Sequence, residues 1–177
     1  MVRVHTAHTA DLGRATLDAV RGFLETAFAG DFSADDWDHA LGGVHALAWA
    51  GGELVGHGSV VQRRLLHGGR ALRAGYVEGM AVHAGHRRAG VGAAVIRELR
   101  RVIDGAYELG ALSSTEEGLR FYAAQGWAPW RGPTSALTPG GVVRTPDEDG
   151  AVHVVAVDAP LDLDGELVCD WRDGAPW

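Results

Sequence analysis

Hydrophobic and polar positions change period several times along the chain, and each change predicts an element. Residues 2–8, VRVHTAH, alternate and read as a strand. Leu12, Leu17, Val20, Leu24, Ala27 and Phe28 recur roughly every three or four positions, the stripe of an amphipathic helix that Gly30 stops. Ser33 followed by Asp36 predicts an N-cap and a short helix over 33–41. Strands over 44–50 and 53–66 are joined by Gly51-Gly52, and His67-Gly68-Gly69-Arg70 repeats that hairpin signal before a strand over 71–83. Next come a loop, Gly85-His-Arg-Arg-Ala-Gly-Val-Gly92, and a stripe of Val91, Val95, Leu99 and Val102 that reads as a helix. Residues 107–112 form a further strand. Ser114-Thr-Glu-Glu117 fits a capping box and predicts a helix to Gln125, with Gly126 past its end. Then follow a strand over 127–137, a Gly/Pro/acid loop over 139–150, a strand over 151–157 and a tail closing in CDWRDGAPW. This order predicts an α/β layer fold of the α+β kind, whose mixed sheet is flanked by helices.

Composition narrows the chemistry. With 177 residues, 46% of them hydrophobic and 22% charged, the chain is expected to be one soluble globular domain over 1–177. All 16 basic residues are arginines. The absence of lysine excludes a Schiff-base lysine, a Walker lysine and a lysine general base. Against those arginines stand 23 acids, and the net charge of −7 disfavours nucleic acid and anionic membranes while suiting a cationic partner. Cys169 is the one cysteine, so neither an intrachain disulfide nor a cysteine zinc site is expected and a cytoplasmic location is the default. No segment approaches the roughly 18 apolar residues of a membrane span. Among the nine histidines, His83-x-x-His86 is not on a helix and His5 with His8 lacks a third ligand nearby, so no metal is expected.

A strand, two glycines and a helix leave the N–H groups of residues 88–92 converging at the positive end of a helix, a spot suited to a diphosphate. The loop lacks the GxGxxG of a dinucleotide fold and the GK[ST] of a P-loop. Arg87-x-x-Gly90-x-Gly92 instead resembles the signature of the GCN5-related N-acetyltransferases. Val77-Glu-Gly-Met-Ala-Val82 is similar to that family's fourth strand, and Leu119-Arg-Phe-Tyr-Ala-Ala-Gln-Gly-Trp127 to its late helix. Further segments resemble the aminoglycoside 2′-N-acetyltransferases of actinomycetes nearly end to end. They are Ala27-Phe-Ala-Gly-Asp-Phe32, Leu41-Gly-Gly-Val-His-Ala-Leu47, Val61-Gln-Arg-Arg-Leu65, Gly75-Tyr-Val-Glu-Gly79, Gly105 to Ser114, Gly132-Pro-Thr-Ser135, Arg144-Thr-Pro-Asp147 and Cys169-Asp-Trp-Arg172.

The resemblance implies direct attack of a neutral amine on the thioester of acetyl-CoA, without a metal. Its demands are a proton acceptor, an N–H donor for the oxyanion and a proton donor for the leaving sulfur. Alternation sets Tyr76, Glu78, Met80 and Val82 on one strand face, where Glu78 is the one charge and the candidate acceptor, directly or through a water. Main-chain groups of Met80, Ala81 and Val82 would lie along the pantetheine arm and supply the oxyanion donor, while Arg87, Arg88, Ala89, Gly90, Val91 and Gly92 would grip the pyrophosphate. Tyr122, a phenol of pKa about 10 beside a thiol of about 8.5, is the candidate acid for the thiolate. For the polycationic sugar the resemblance implies Asp31, Glu78, Gly79, Ser113, Asp147 or Glu148, and the carboxylate of Trp177, with the tail over 159–177 contributing to substrate binding. Glu148 stands where the family typically has Asp, and Ala175 where it has an acid, with Asp173 the possible substitute. Trp127, Trp130, Trp171 and Trp177 are candidates for a sugar wall, the core or a dimer contact. A homodimer is expected. Two other readings stay open: an acetyltransferase for another aminosugar or cationic amine, and a non-catalytic binder of CoA or cationic sugars.

Overall fold

The computed structural model describes residues 1–177. Two compact units are distinguished, residues 1–61 with 77–102 and residues 62–76 with 103–177.

The first unit opens with β1 (Val2–His8), followed by a 3-10 turn and α1 (Arg14–Ala27). Next comes α2 (Ala34–His39), where the Ser33 hydroxyl accepts from the Asp36 N–H and the Asp36 carboxylate accepts from the Ser33 N–H, the expected cap in full. β2 (Val44–Ala50) pairs antiparallel with both β1 and β3 (Glu53–His67). β4 (Arg70–Val82) and α3 (Val91–Ala106) complete this unit with their residues up to the boundaries given above. Val20 and Leu24 of α1 pack with Leu47 of β2, and Trp37, Trp49 and Ala81 close over them. α3 lies close on β3 because Gly56 and Gly58 have no side chains: a Cβ there would come within 2.8 Å of Val91 and 2.9 Å of Leu99. Val95 and Leu99 are fully buried, each contributing about 1.5–3 kcal/mol.

In the second unit, β5 (Leu109–Ser113) runs parallel to β4 over Ala74–Tyr76, and that ladder ends at Tyr76. β9 (Val152–Ala156) pairs antiparallel with β5 and with the two-residue β6 (Ala128–Pro129). On the other side, β10 (Leu167–Cys169) lies antiparallel to β3 and parallel to β7 (Thr134–Thr138), which forms a hairpin with β8 (Gly141–Arg144). α4 (Glu116–Ala124) ends as expected, with Gln125 as C-cap and Gly126 at φ +84°. The sheet is mixed and flanked by helices, an α+β fold, as the element order predicts.

Three expectations need correction. Thr115, not Ser114, is the N-cap of α4: the Ser114 N–H is held by the Ala151 carbonyl and its hydroxyl donates to the Thr115 carbonyl, so residue 114, just past β5, has no cap bond to give. The strand expected over 127–137 is two strands, because the Arg131 and Gly132 N–H groups turn to the Leu163 carbonyl and Pro133 donates nothing. The loop expected over 139–150 contains β8 and a 3-10 turn at Pro146–Glu148, and the tail contains β10.

Candidate active site

β4 runs unbroken over Arg70–Val82 but carries its one positive-φ residue where chemistry is expected. Glu78 is half-buried, and the next residue, Gly79, has φ +54°. An L side chain is strained in that region, and a Cβ would press within 3.3 Å of Leu24 and 3.4 Å of the His57 ring. Met80, Ala81 and Val82 follow, all half-buried, and the His83 N–H donates to the Val55 carbonyl. A carboxylate beside a strand residue at positive φ has what an amine and a carbonyl require of this strand: an acceptor and nearby N–H groups.

The loop after β4 has the form its glycines predict. Arg88 at φ +59° and Gly90 at φ +81° curl the main chain into α3, with nothing within 4 Å of a Cβ on Gly90. Intrahelical bonding starts with the Ala94 N–H donating to the Gly90 carbonyl, which leaves the first turn's N–H groups at Val91 and Gly92 directed out of a 16-residue helix. Arg87, Arg88 and Ala89 are exposed, and the Arg87 Nε–H donates to the Val82 carbonyl at 3.4 Å. This donor set fits a diphosphate: helix N–H groups, two guanidiniums and a glycine that lets the ligand approach. A hollow of about 260 Å³ adjoins the loop, lined by Val2, Val4, Gly90, Ala94 and Arg97.

In the second unit Tyr122 is 8% exposed, set among Phe121, Trp127 and His153 with ring centroids 5.1, 6.2 and 6.3 Å away. Burial pushes its phenol well above the ordinary value. Such a phenol keeps its proton through the neutral range and can donate a hydrogen bond to a departing sulfur. Complete transfer to a thiolate, whose thiol is the stronger acid, runs uphill, so the role expected for Tyr122 narrows to donation within the transition state.

Ser113, at the end of β5, donates its hydroxyl proton to Glu148 Oε2 at 2.7 Å, so two of the expected sugar ligands are joined. Glu148 is half-buried; Asp147 beside it is exposed. Asp149 is an anchor: Arg144 and the Thr134 N–H hold its carboxyl at about 2. The Trp177 indole is buried and donates to the Thr145 hydroxyl at 2.9 Å, just before the 3-10 turn that carries Asp147 and Glu148. Near the chain end the Cys169 thiol donates to the Pro176 carbonyl, and burial raises that thiol to about 11, which makes it a packing group and not a nucleophile. Ala175 offers only its carbonyl, which accepts from Arg172 Nε–H. Asp31 lies exposed in the first unit, after α1. Of the tryptophans, Trp127 and Trp130 are core and Trp171 is half-exposed.

Sequence reasoning passed over two residues. His45 and His57 are fully buried and bonded to each other, and His57 is also bonded to the Gly79 carbonyl. The available signal was strand alternation, but a β-bulge between Ala48 and Trp49 shifts the β2–β3 register, and only with that shift do the two rings share a face.

Residues 10–130 match the family model described as an acetyltransferase (GNAT) domain. An aminoglycoside 2′-N-acetyltransferase from Mycolicibacterium fortuitum is 48% identical over 98% of this chain and 93% of its own. Among solved structures, Escherichia coli ElaA superposes with TM-score 0.60 at 19% identity, covering 81% of this chain and 97% of that one. A GNAT family acetyltransferase from Brucella melitensis, solved in complex with acetyl-CoA, gives TM-score 0.61 at 16% identity over 93% and 94% of the two chains. These structures share the fold. The family model over residues 10–130 and the near full-length similarity to the Mycolicibacterium fortuitum relative make the chain a member of the GNAT acetyltransferase family.

Proposed function

We propose that this acetyltransferase moves the acetyl group of acetyl-CoA to the 2′-amine of an aminoglycoside by direct attack in a ternary complex. The observation that carries the substrate class is the 48% identity to an aminoglycoside 2′-N-acetyltransferase over 98% of the chain. That similarity continues past residue 130, where the family model stops, and so includes Glu148 and the tail.

Acetyl-CoA supplies an activated acyl carbon and a thiolate leaving group. The loop from Arg87 to Gly92 binds its diphosphate, and main chain at Met80–Val82 runs beside its arm. Glu78 accepts the proton the attacking amine must lose, directly or through a water. A main-chain N–H after Gly79 faces the thioester oxygen as it gains charge, and Tyr122 donates a hydrogen bond to the sulfur. Asp31, Glu78, the Ser113–Glu148 pair and Asp147 receive ammonium groups of the sugar, with Gly79 and Trp177 adding contacts. Carboxylates spread over several segments match a polycation. Acetylation turns an ammonium into a neutral amide, and cells that carry the protein are expected to tolerate such antibiotics. The single, buried Cys169 suits a reducing cytoplasm. Assembly as a homodimer is carried by the family resemblance alone.

The test follows thiol release from acetyl-CoA with paired aminoglycosides that bear either an amine or a hydroxyl at the 2′ position. Turnover only with the amine is expected. Equal turnover with both would sink the 2′ assignment, and none with either would point to another aminosugar or to a binding protein.

A further inference from the structure

A run of hydrogen bonds crosses the first unit from the end of β1 to β4. The Gly42 N–H donates to the Thr9 hydroxyl at 2.9 Å. Thr9 Oγ1 lies 2.8 Å from His45 Nε2, His45 Nδ1 lies 2.9 Å from His57 Nε2, and His57 Nδ1 lies 2.7 Å from the Gly79 carbonyl oxygen. Both rings are 0% exposed.

The chemistry of the last acceptor sets every proton in this run. A carbonyl only accepts, so His57 Nδ1 carries a hydrogen and donates to Gly79. No carboxylate accompanies the rings, and burial keeps both neutral. A neutral His57 therefore accepts at Nε2, which requires His45 to donate from Nδ1 and accept at Nε2; the Thr9 hydroxyl, which also lies 3.2 Å from the Gly43 carbonyl oxygen, gives its single proton to His45 at the shorter 2.8 Å contact. Each ring is held in one tautomer and at one angle.

What this run holds is a peptide that could otherwise turn. At positive φ a glycine can take the left-handed or the mirror-β region, which differ in ψ, so residue 79 alone does not choose between orientations of the peptide that follows it. The 2.7 Å bond from His57 chooses one. That peptide is trans and planar, so its N–H, which belongs to Met80, points opposite to the carbonyl and away from His57.

We propose that His45 and His57 are positioning residues for acyl transfer: His57 pins the Gly79 carbonyl, and the Met80 N–H on the far side of the same peptide is thereby aimed at the thioester oxygen. The proposal rests on the acetyl-transfer reading above. His45 acts one step back by fixing the tautomer of His57, and Thr9 by fixing that of His45. Neither ring touches substrate in this scheme.

The test compares wild type, His57→Leu and His57→Asn. Asparagine places an amide N–H near the position of Nδ1 but does not restore the His57–His45 bond. His57→Leu should lower kcat about tenfold to a hundredfold, the range for a misplaced or lost transition-state donor, with both KM values within about twofold. His57→Asn should recover most of kcat while its Tm stays below wild type. If kcat instead followed Tm through both variants, or if His57→Leu kept full kcat, the pair would be merely structural. Imidazole ¹⁵N spectra of wild type give a readout that needs no variant: an Nδ1–H tautomer at both rings is expected, and an Nε2–H tautomer at His57 overturns the proposal. A wild type that turns over beside an unimpaired His57→Leu removes this proposal alone. A wild type that releases no thiol with any aminoglycoside removes the acetyl-transfer reading and the proposal with it.

Discussion

The two units bury polarity in opposite ways. In the first, His45 and His57 lie in the interior as neutral rings: burial lowers His57 to about 3, and burial together with the charge of nearby His8 lowers His45 to about 4. In the second, Arg63 is 4% exposed and charged. Burial works against that charge, but its electrostatic interactions with Tyr76 and with Asp170, at 2.7 Å, outweigh it and raise its pKa; the guanidinium carbon also lies 4.8 Å from the Tyr76 ring centroid. The difference follows from the groups themselves. An imidazole can shed its proton and become a hydrogen-bond link; a guanidinium cannot, so a buried one must bring a carboxylate with it. The first arrangement should therefore be sensitive to acid, and the second to the loss of a partner.

Losing the partner is the larger effect at neutral pH. Asp170 accepts from Arg63 Nε–H and from the Arg64 N–H, and its main-chain carbonyl accepts from Arg63 as well. Asp170→Ala leaves the guanidinium without its carboxylate and should cost about 2–4 kcal/mol in urea unfolding, less than a fully enclosed pair because the Asp170 side chain is 36% exposed. Adding Arg63→Met should restore much of the loss. A cost below about 1 kcal/mol would mean that water solvates Arg63 as readily as Asp170 does.

Acid comes second and reaches the first unit. Below about 6.5 an unfolded histidine takes a proton that His45 and His57 refuse until about 4 and about 3. The unfolded chain then binds more protons than the folded one, so stability is full above pH 6.5 and falls as pH drops towards 4. Each histidine contributes a slope of up to about 1.4 kcal/mol per pH unit. Unfolding at pH 7.5 and pH 5 measures it, and His57→Asn should flatten the profile. A profile equally steep without His57 would assign the effect to other groups.

The contrast also separates what could be read in the sequence from what could not. Gly51-Gly52 gave the β2–β3 hairpin, and Arg87-x-x-Gly90-x-Gly92 before an apolar stripe gave the loop and α3, because turn chemistry and helical period are local. The histidine pair depends on register. A two-residue turn at 51–52 would set Ala46 opposite His57 and the two rings on opposite faces; the bulge instead sets Leu47 opposite His57 and brings His45 to the same face. β10 is only three residues long and exists because β3 and β7 accept it, which no local period announces. Ser114 had the right spacing for a cap, but its N–H goes to the Ala151 carbonyl across the chain and its hydroxyl to the Thr115 carbonyl. The site followed the same rule: Glu78 and the loop lay in contiguous motifs, whereas the Ser113–Glu148 bond joins residues 35 apart.

The smallest effects lie in another ion pair of the second unit, where two partners of similar exposure should differ in cost. Arg144 and Asp149 are comparably exposed, at 46% and 39%, and meet at 2.8 Å. Asp149 also accepts from the N–H of Thr134, which is 0% exposed. Asp149→Ala strands that buried donor and should cost about 1–3 kcal/mol, with Asp149→Asn, which keeps an acceptor oxygen, close to wild type. Arg144 donates to the Thr134 carbonyl, but the Thr145 N–H donates there too, so Arg144→Ala leaves nothing buried unpaired. It loses an exposed pair worth less than about 1 kcal/mol. Urea midpoints of the three variants decide the matter: equal losses for Asp149→Ala and Arg144→Ala would show that charge attraction holds this corner together. A larger loss for the aspartate alone would show that a buried N–H sets the cost here, as a buried guanidinium does at Arg63.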